Sequence, residues 1–251
     1  MNRQGVVIAS VGSSVPEALD GITAVEEALS AAAEGYVCFR AFTSPAIRRI
    51  LKDRGEDVPG LAEALEALAD QGVGRVIVQP THLLYGREYD RLKTGAEALS
   101  GRFASLAVGR PLLADGGDIR RFALGLARDH PAEDGAVTVF MGHGTGREAR
   151  GVYPAVQEAW NGLGRDDLLV GVMEGCPDLD GVLRRLEPGG PRSIDLLPLM
   201  LAAGAHARRD MAGDWRVRLE RAGHAVTCSF TGLGQRSWVR ELYRERLEEL
   251  L

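Results

Sequence analysis

Two histidines and a glutamate, His143, His206 and Glu174, are the residues of this 251-residue chain whose types and places could do metal chemistry. His143 stands in Met141-Gly142-His143-Gly144-Thr145-Gly146, where flanking glycines let the backbone approach a ligand closely and expose the imidazole. Glu174 stands in Val172-Met173-Glu174-Gly175-Cys176-Pro177 and closes a run that reads as a buried strand. A buried carboxylate is costly unless it is paired or holds a cation. His206 follows the apolar run that begins at Leu197-Pro198. Two imidazoles and a carboxylate suit a borderline divalent ion with coordination positions left open. The alternatives are structural: a turn histidine capping a helix at 143, and a packed histidine at 206. No local ligand spacing joins the three, so only a fold can bring them together.

The chain offers such a fold by repeating itself. Val6 to Ser13 resembles Val137 to His143, Val37 to Pro45 resembles Val170 to Pro177, and Val76 to Gly86 resembles Ile194 to Gly204. The last pair shares a frame of Pro, five residues, Gly. Aligning Gly12 with Gly142, Pro45 with Pro177 and Pro80 with Pro198 gives offsets of 130, 132 and 118. That places an insertion of about 14 residues near Arg54 to Pro59 of the first copy. Apolar strands alternate with helical stretches throughout, which predicts βαβ units and a parallel sheet in each half. Helices are expected over Pro16–Ala33, Ala46–Lys52, Leu61–Gln71, Glu88–Leu99, Asp118–Asp129, Pro154–Gly162, Asp178–Leu186, Ala207–Ala222 and Gln235–Leu251, and a fourth strand of the first half over Leu106–Val108. The expected fold class is therefore α/β, with two similar half-domains, residues 1–130 and 131–251, and an active-site cleft between them. Ligands of such sheets bind beyond the carboxyl ends of the strands. Those ends carry His143, Glu174 and His206 in the second half, and Ser13, Phe42 and Glu88 at the matched places of the first.

Bulk properties narrow the function. The chain is 45% apolar and 26% charged, with a net charge of −5. An acidic balance argues against nucleic acid as the main partner. No stretch approaches the length of a membrane span, and no signal-peptide pattern opens the chain. Cys38, Cys176 and Cys228 are dispersed and lack C-x-x-C spacing. Such a set fits free thiols in a reducing compartment, so a cytoplasmic protein is expected. The oligomeric state is left open, a homo-oligomer included.

Other polar groups could line the cleft. Gly12-Ser13-Ser14 could meet an anionic group through backbone N–H groups or simply cap a helix. His82 could face the cleft with Tyr85 and Tyr89 as aromatic walls, or be a hydrogen-bonded core histidine. Arg40, Arg87, Arg147, Arg208 and Arg209 fall near strand ends and could pair with substrate carboxylates. An esterase reading of Gly142-His143-Gly144 fails because no G-x-S-x-G elbow follows a strand.

Taken together, Arg40-Ala41-Phe42-Thr43-Ser44, Gly86-Arg87-Glu88-Tyr89, Met141-Gly142-His143-Gly144, Leu197-Pro198-Leu199-Met200-Leu201, His206 and Gly232-Leu233-Gly234 resemble the anaerobic sirohydrochlorin cobaltochelatases, class II metal chelatases of early cobalamin synthesis. The resemblance implies a chelatase-like fold of two similar α/β domains. It implies a metal–tetrapyrrole lyase whose metal-binding residues are His143, Glu174 and His206; imidazole chemistry adds His143 and His206 as catalytic bases for the pyrrole protons. Ser13, Phe42, His82, Tyr85, Arg87 and Arg147 are the substrate-binding candidates, and the partners are a sirohydrochlorin-type tetrapyrrole and a divalent metal. No organic cofactor is expected, since Co²⁺ or Fe²⁺ is a substrate. Arg147 stands where many members have a second histidine, four residues after the first. A siroheme-type ferrochelatase and a non-catalytic tetrapyrrole or haem carrier are the alternatives.

Overall fold

The computed structural model describes residues 3–144, 149–187, 190 and 192–251. Two parallel four-stranded sheets carry the chain. The first is built from β1 (Arg3–Ser10), β2 (Val37–Phe42), β3 (Val73–Pro80) and β4 (Ser105–Val108), in the order β2-β1-β3-β4. The second is built from β5 (Ala136–Gly142), β6 (Leu168–Val172), β7 (Ser193–Pro198) and β8 (Ala225–Cys228), in the order β6-β5-β7-β8. The central strands are near-continuous apolar runs, Val6 to Ala9 and Val139 to Met141 being buried. Such runs are what sheets covered on both faces require. In each sheet the chain steps from the central strand to one side and then to the other. That reversal is the switch point at which strand ends splay apart.

Among the described residues ten helices flank the strands: α1 (Pro16–Ala32), α2 (Pro45–Asp53), α3 (Leu61–Asp70), α4 (Arg87–Ala98), α5 (Gly116–Asp129), α6 (Ala149–Gly162), α7 (Leu179–Leu186), α8 (Ala205–Asp210), α9 (Arg216–Arg221) and α10 (Ser237–Glu248). Their starts follow local chemistry. Pro16 and Pro45 sit in the first turns of α1 and α2. The Ser44 side chain accepts from the Ile47 amide, Asp115 caps α5, and Asp178 caps α7 at 2.8 Å. The expected single helix over Ala207–Ala222 is instead α8 and α9 joined by a π turn at Met211–Trp215, with Gly213 out of helical conformation. Pro154, expected near a helix start, lies inside α6. None of these helices is long and apolar enough to cross a membrane.

The chain divides into two units, and not at residue 130. Unit 1 holds the residues up to Leu112 together with Gly234–Leu251; unit 2 holds Leu113–Leu233. Contacts, rather than chain order, set the division. Helix α10 buries Val239, Tyr243 and Leu247, and the Tyr243 hydroxyl donates to the Thr81 carbonyl at 2.8 Å. Gly234 leaves no room for a side chain against the Gly21 carbonyl at the centre of α1. Helix α5 is held in unit 2 by the Trp160 indole, which donates to the Ala123 carbonyl at 2.9 Å.

Strand register corrects the alignment of the two copies. Ser10 pairs with Phe42 and Ala9 with Pro80 in unit 1; Gly142 pairs with Val172 and Met141 with Pro198 in unit 2. Gly12 therefore matches Gly144, and not Gly142. Both take positive φ, 89° and 87°. Past the strands the hydrogen bonds keep step. Thr43 and Ser44 amides donate to Ser10 and Val11 carbonyls, as Met173 and Glu174 amides donate to Gly142 and His143. The Phe42 amide donates to Pro59, as the Val172 amide donates to Pro177. Pro177 thus matches Pro59 rather than Pro45, and the insertion in the first copy is α2 and the loop after it.

Candidate active site

The site in unit 2 is assembled from the ends of three adjacent strands. Gly142 ends β5, and a Cβ there would lie 2.7 Å from Cζ of Tyr153 on α6. The next residue, His143, is exposed. Its carbonyl accepts from the Glu174 amide at 3.1 Å, which seats Glu174 beside it although 31 residues separate them in the chain. Gly144 must be glycine twice over, because its φ is positive and a Cβ would collide with the Glu174 carbonyl. On the other side of β5, the Leu199 amide donates to Met141 at 2.8 Å. The chain then turns into α8, whose second residue is His206, also exposed.

Glu174 is exposed as well, which corrects the expectation of a buried carboxylate. It lies in the turn after β6, where water solvates its charge, so burial gives no argument for a bound cation. Among the described residues no three His, Cys, Asp or Glu side chains converge into a ready-made metal cage. What the topology provides is three donors on one sheet edge, open to solvent. Two imidazoles and a carboxylate are a donor set for a borderline ion.

The substrate-binding candidates of the first half meet different fates. In unit 1 the residues matched to His143, Glu174 and His206 are Val11, Ser44 and Glu88, so Ser13 and Phe42 are not the counterparts of the first two. Ser13 and Phe42 are buried, at 3% and 1% exposure. The Ser13 hydroxyl accepts from the Val15 amide at 3.1 Å, the local turn role it could equally have had. His82 is buried, stands edge-on to Tyr89 with centroids 6.4 Å apart, and has no partner for either ring nitrogen among the described residues. Burial pushes its pKa down to about 4. It is neither a surface ligand nor a hydrogen-bonded core histidine. Tyr85 is half-buried and packs edge-on to Tyr89 at 5.0 Å. Arg87 is exposed in the first turn of α4 and has no partner among the described residues. Arg147 lies outside the described residues.

The remaining arginines are engaged within the protein. Arg40 donates through Nε to Glu26 at 2.7 Å and through a terminal nitrogen to Thr23 at 3.0 Å. Arg208 donates to the Ala203 carbonyl and lies over the Phe230 ring, and Arg209 pairs with Asp210. Sequence reading missed Glu26, an acid on the buried face of α1. Burial raises its pKa, and Arg40 and Ser10 pull the other way. It also missed Tyr153, whose phenol oxygen lies within reach of the His143 and Gly144 amides and whose pKa burial raises. No pattern marked either residue, because each differs from an ordinary helix residue only in what it touches.

Two parallel units of identical strand order, one with imidazole and carboxylate donors on its carboxyl edge, have the chelatase fold. The chain superposes on SirB from Bacillus subtilis with Fe³⁺ at a TM-score of 0.72 and 17% identity, covering 98% of this chain and 95% of that one. The model of the cobalt chelatase (CbiK) family matches residues 4–251. The sirohydrochlorin cobaltochelatase of Salmonella typhimurium is 32% identical over 99% of this chain and 97% of its own length. Sirohydrochlorin cobaltochelatase CbiKC of Nitratidesulfovibrio vulgaris is 34% identical over 89% and 82%. The chain belongs to the cobalt chelatase family.

Proposed function

We propose that this protein inserts Co²⁺ into sirohydrochlorin, an early step of anaerobic cobalamin synthesis. The observation that carries the reading is His143 and Glu174 side by side just past β5 and β6, with His206 in the helix that follows the neighbouring β7, in a chain of the cobalt chelatase family. Insertion requires a partly desolvated ion, removal of two pyrrole N–H protons and access to the ring nitrogens. His143, Glu174 and His206 hold the ion with positions left for those nitrogens. An open site suits a metal that must leave with the product. The ring gives up two protons as it takes Co²⁺; the imidazole of His143 or His206 receives one as its bond to the metal loosens, and the other passes to solvent. Glu174 adds charge and steadies the turn of His143 through their shared backbone bond.

On unit 1, Arg87 serves as an exposed cation for a carboxylate of the macrocycle and Tyr85 as an aromatic surface. Arg147 would take a further carboxylate of the macrocycle. Metal-free protein mixed anaerobically with sirohydrochlorin, then with Co²⁺ or Fe²⁺, tests the reading by absorbance. Insertion faster than the enzyme-free rate, and faster with Co²⁺, is expected. A larger acceleration with Fe²⁺ would make the protein a ferrochelatase. Macrocycle binding with no acceleration by either ion would make it a carrier.

A further inference from the structure

The turn that presents His143 is held from two sides. From the β6 side, the Met173 and Glu174 amides take the Gly142 and His143 carbonyls at 3.0 and 3.1 Å. Gly144 is buried, and a buried N–H without an acceptor is costly. The phenol oxygen of Tyr153 is within reach of the His143 and Gly144 amides. Its ring fills the space that Gly142 leaves by lacking a side chain, and Tyr153 is 4% exposed. Gly142 and Tyr153 are therefore a matched pair: ring and glycine fit because neither leaves room for more.

The other copy of the turn supplies the comparison. In unit 1, Ser10-Val11-Gly12 forms the same strand end with the same positive φ at its glycine. Helix α1, which follows that turn, contains no tyrosine. The turn forms there without a phenol, and it presents Val11 in place of an imidazole. The phenol accompanies the histidine and is not a requirement of the strand end.

We propose that Tyr153 is a positioning residue for His143, fixing the turn so that the imidazole meets the metal in one orientation. This rests on the assignment of His143 as a metal position. The test is Tyr153→Phe, which keeps the ring and removes the oxygen, compared with Tyr243→Phe, the same change at a buried hydroxyl of unit 1. Metal-free proteins are titrated with Co²⁺ by its visible absorption, with circular dichroism and Tm as fold checks, and initial insertion rates are measured on the same samples.

Tyr153→Phe is expected to weaken Co²⁺ binding about tenfold or more. It should lower kcat and leave the KM for the macrocycle unchanged, while Tyr243→Phe binds Co²⁺ as the parent does. If Tyr153→Phe fails to fold, Tyr153→Met, which fills similar volume with no oxygen, is read in the same way. Co²⁺ affinity equal to the parent's in the folded variant overturns the proposal, as does an equal loss in Tyr243→Phe. His143→Ala separates the two levels. If it abolishes Co²⁺ binding while Tyr153→Phe does not, the metal position stands and the positioning role falls. If it binds Co²⁺ normally, both fall.

Discussion

The turn after β5 and the turn after β1 share strand order, register and a glycine of positive φ, yet they point their polar groups in opposite directions. After β5 the strand-end residue is Gly142, and the polar side chain, His143, faces solvent. After β1 the strand-end residue is Ser10, whose hydroxyl accepts from Thr81 at 2.9 Å and faces Glu26 at 3.5 Å, and Glu26 is closed off by Arg40. The residue in the place of His143 is Val11, exposed and without chemistry. One turn is tied inward into a satisfied polar network; the other leaves donors open on its edge. A duplicated scaffold can thus tie the polar groups of one copy inward and leave those of the other open to solvent.

The sharpest way to break this contrast is at the matched pair His143 and Val11. His143→Ala, like His206→Ala, is expected to cut Co²⁺ insertion by about 100-fold or more with Tm near the parent's, because both imidazoles are exposed. Val11→Ala should stay within about twofold of the parent, as exposed substitutions away from a site usually do. Full turnover by either histidine variant would end the assignment.

Next come the two glycines. Gly144→Ala drives a Cβ into the Glu174 carbonyl, whereas Gly12→Ala meets the Phe42 ring at 2.6 Å. Both introduce a side chain at positive φ, which costs about 1–2 kcal/mol on its own. Gly144→Ala should in addition uncouple His143 from Glu174 and lose most Co²⁺ binding, and Gly12→Ala should keep it. Urea unfolding and Co²⁺ titration of the pair decide the point; equal loss of binding in both would remove the distinction between the turns.

A third comparison turns on His82, whose register partner in unit 2 is Met200. The folded state holds the ring neutral, with its pKa lowered from 6.5 to about 4, while the unfolded chain takes up a proton below 6.5. Its contribution to stability is therefore complete above pH 6.5 and is lost as pH falls toward 4. The swing is about 2–3 kcal/mol from neutrality down to pH ~4.5. His82→Met, which copies unit 2 into unit 1, should flatten that part of the stability–pH curve. An unchanged curve would show that the ring is not buried neutral.

The smallest effect is expected at Arg87, matched by register to Ala205. Arg87→Ala should raise the KM for the macrocycle several-fold and leave kcat unchanged, the signature of an exposed charge that binds ground and transition states equally. A fall in kcat at constant KM would place Arg87 in the chemistry instead.

Much of this was legible along the chain. Apolar runs of strand length, punctuated by glycine and proline, predict the three strands of each copy and the short fourth strand of the first half. The recurring frame around Pro80 and Pro198 predicts the duplication. His143 and His206 were singled out by their places after apolar runs, and both lie beyond strand ends. Glu174 lies just past a strand, as the apolar run before it predicts, but the expected burial fails, since the turn after β6 leaves it exposed. Arg40 sat in a suggestive motif but lies opposite Glu26 across α1 and β2, an arrangement that chain spacing does not encode.

By itself the sequence determined the α/β class, the doubling, the acidic balance and the identity of the donor side chains, because each is a local or summed property. Only the tertiary structure decided which residues are equivalent and which unit each helix joins. Side chains on a strand alternate with a period of two, so a slip of two residues, Gly142 for Gly144, leaves the apolar pattern intact and is invisible to it. Hydrogen bonds between strands are sensitive to that slip; they make Val11 the counterpart of His143 and seat His143 beside Glu174. The same holds for α10, whose apolar stripe needs a buried partner, and only packing against α1 settles which unit supplies it.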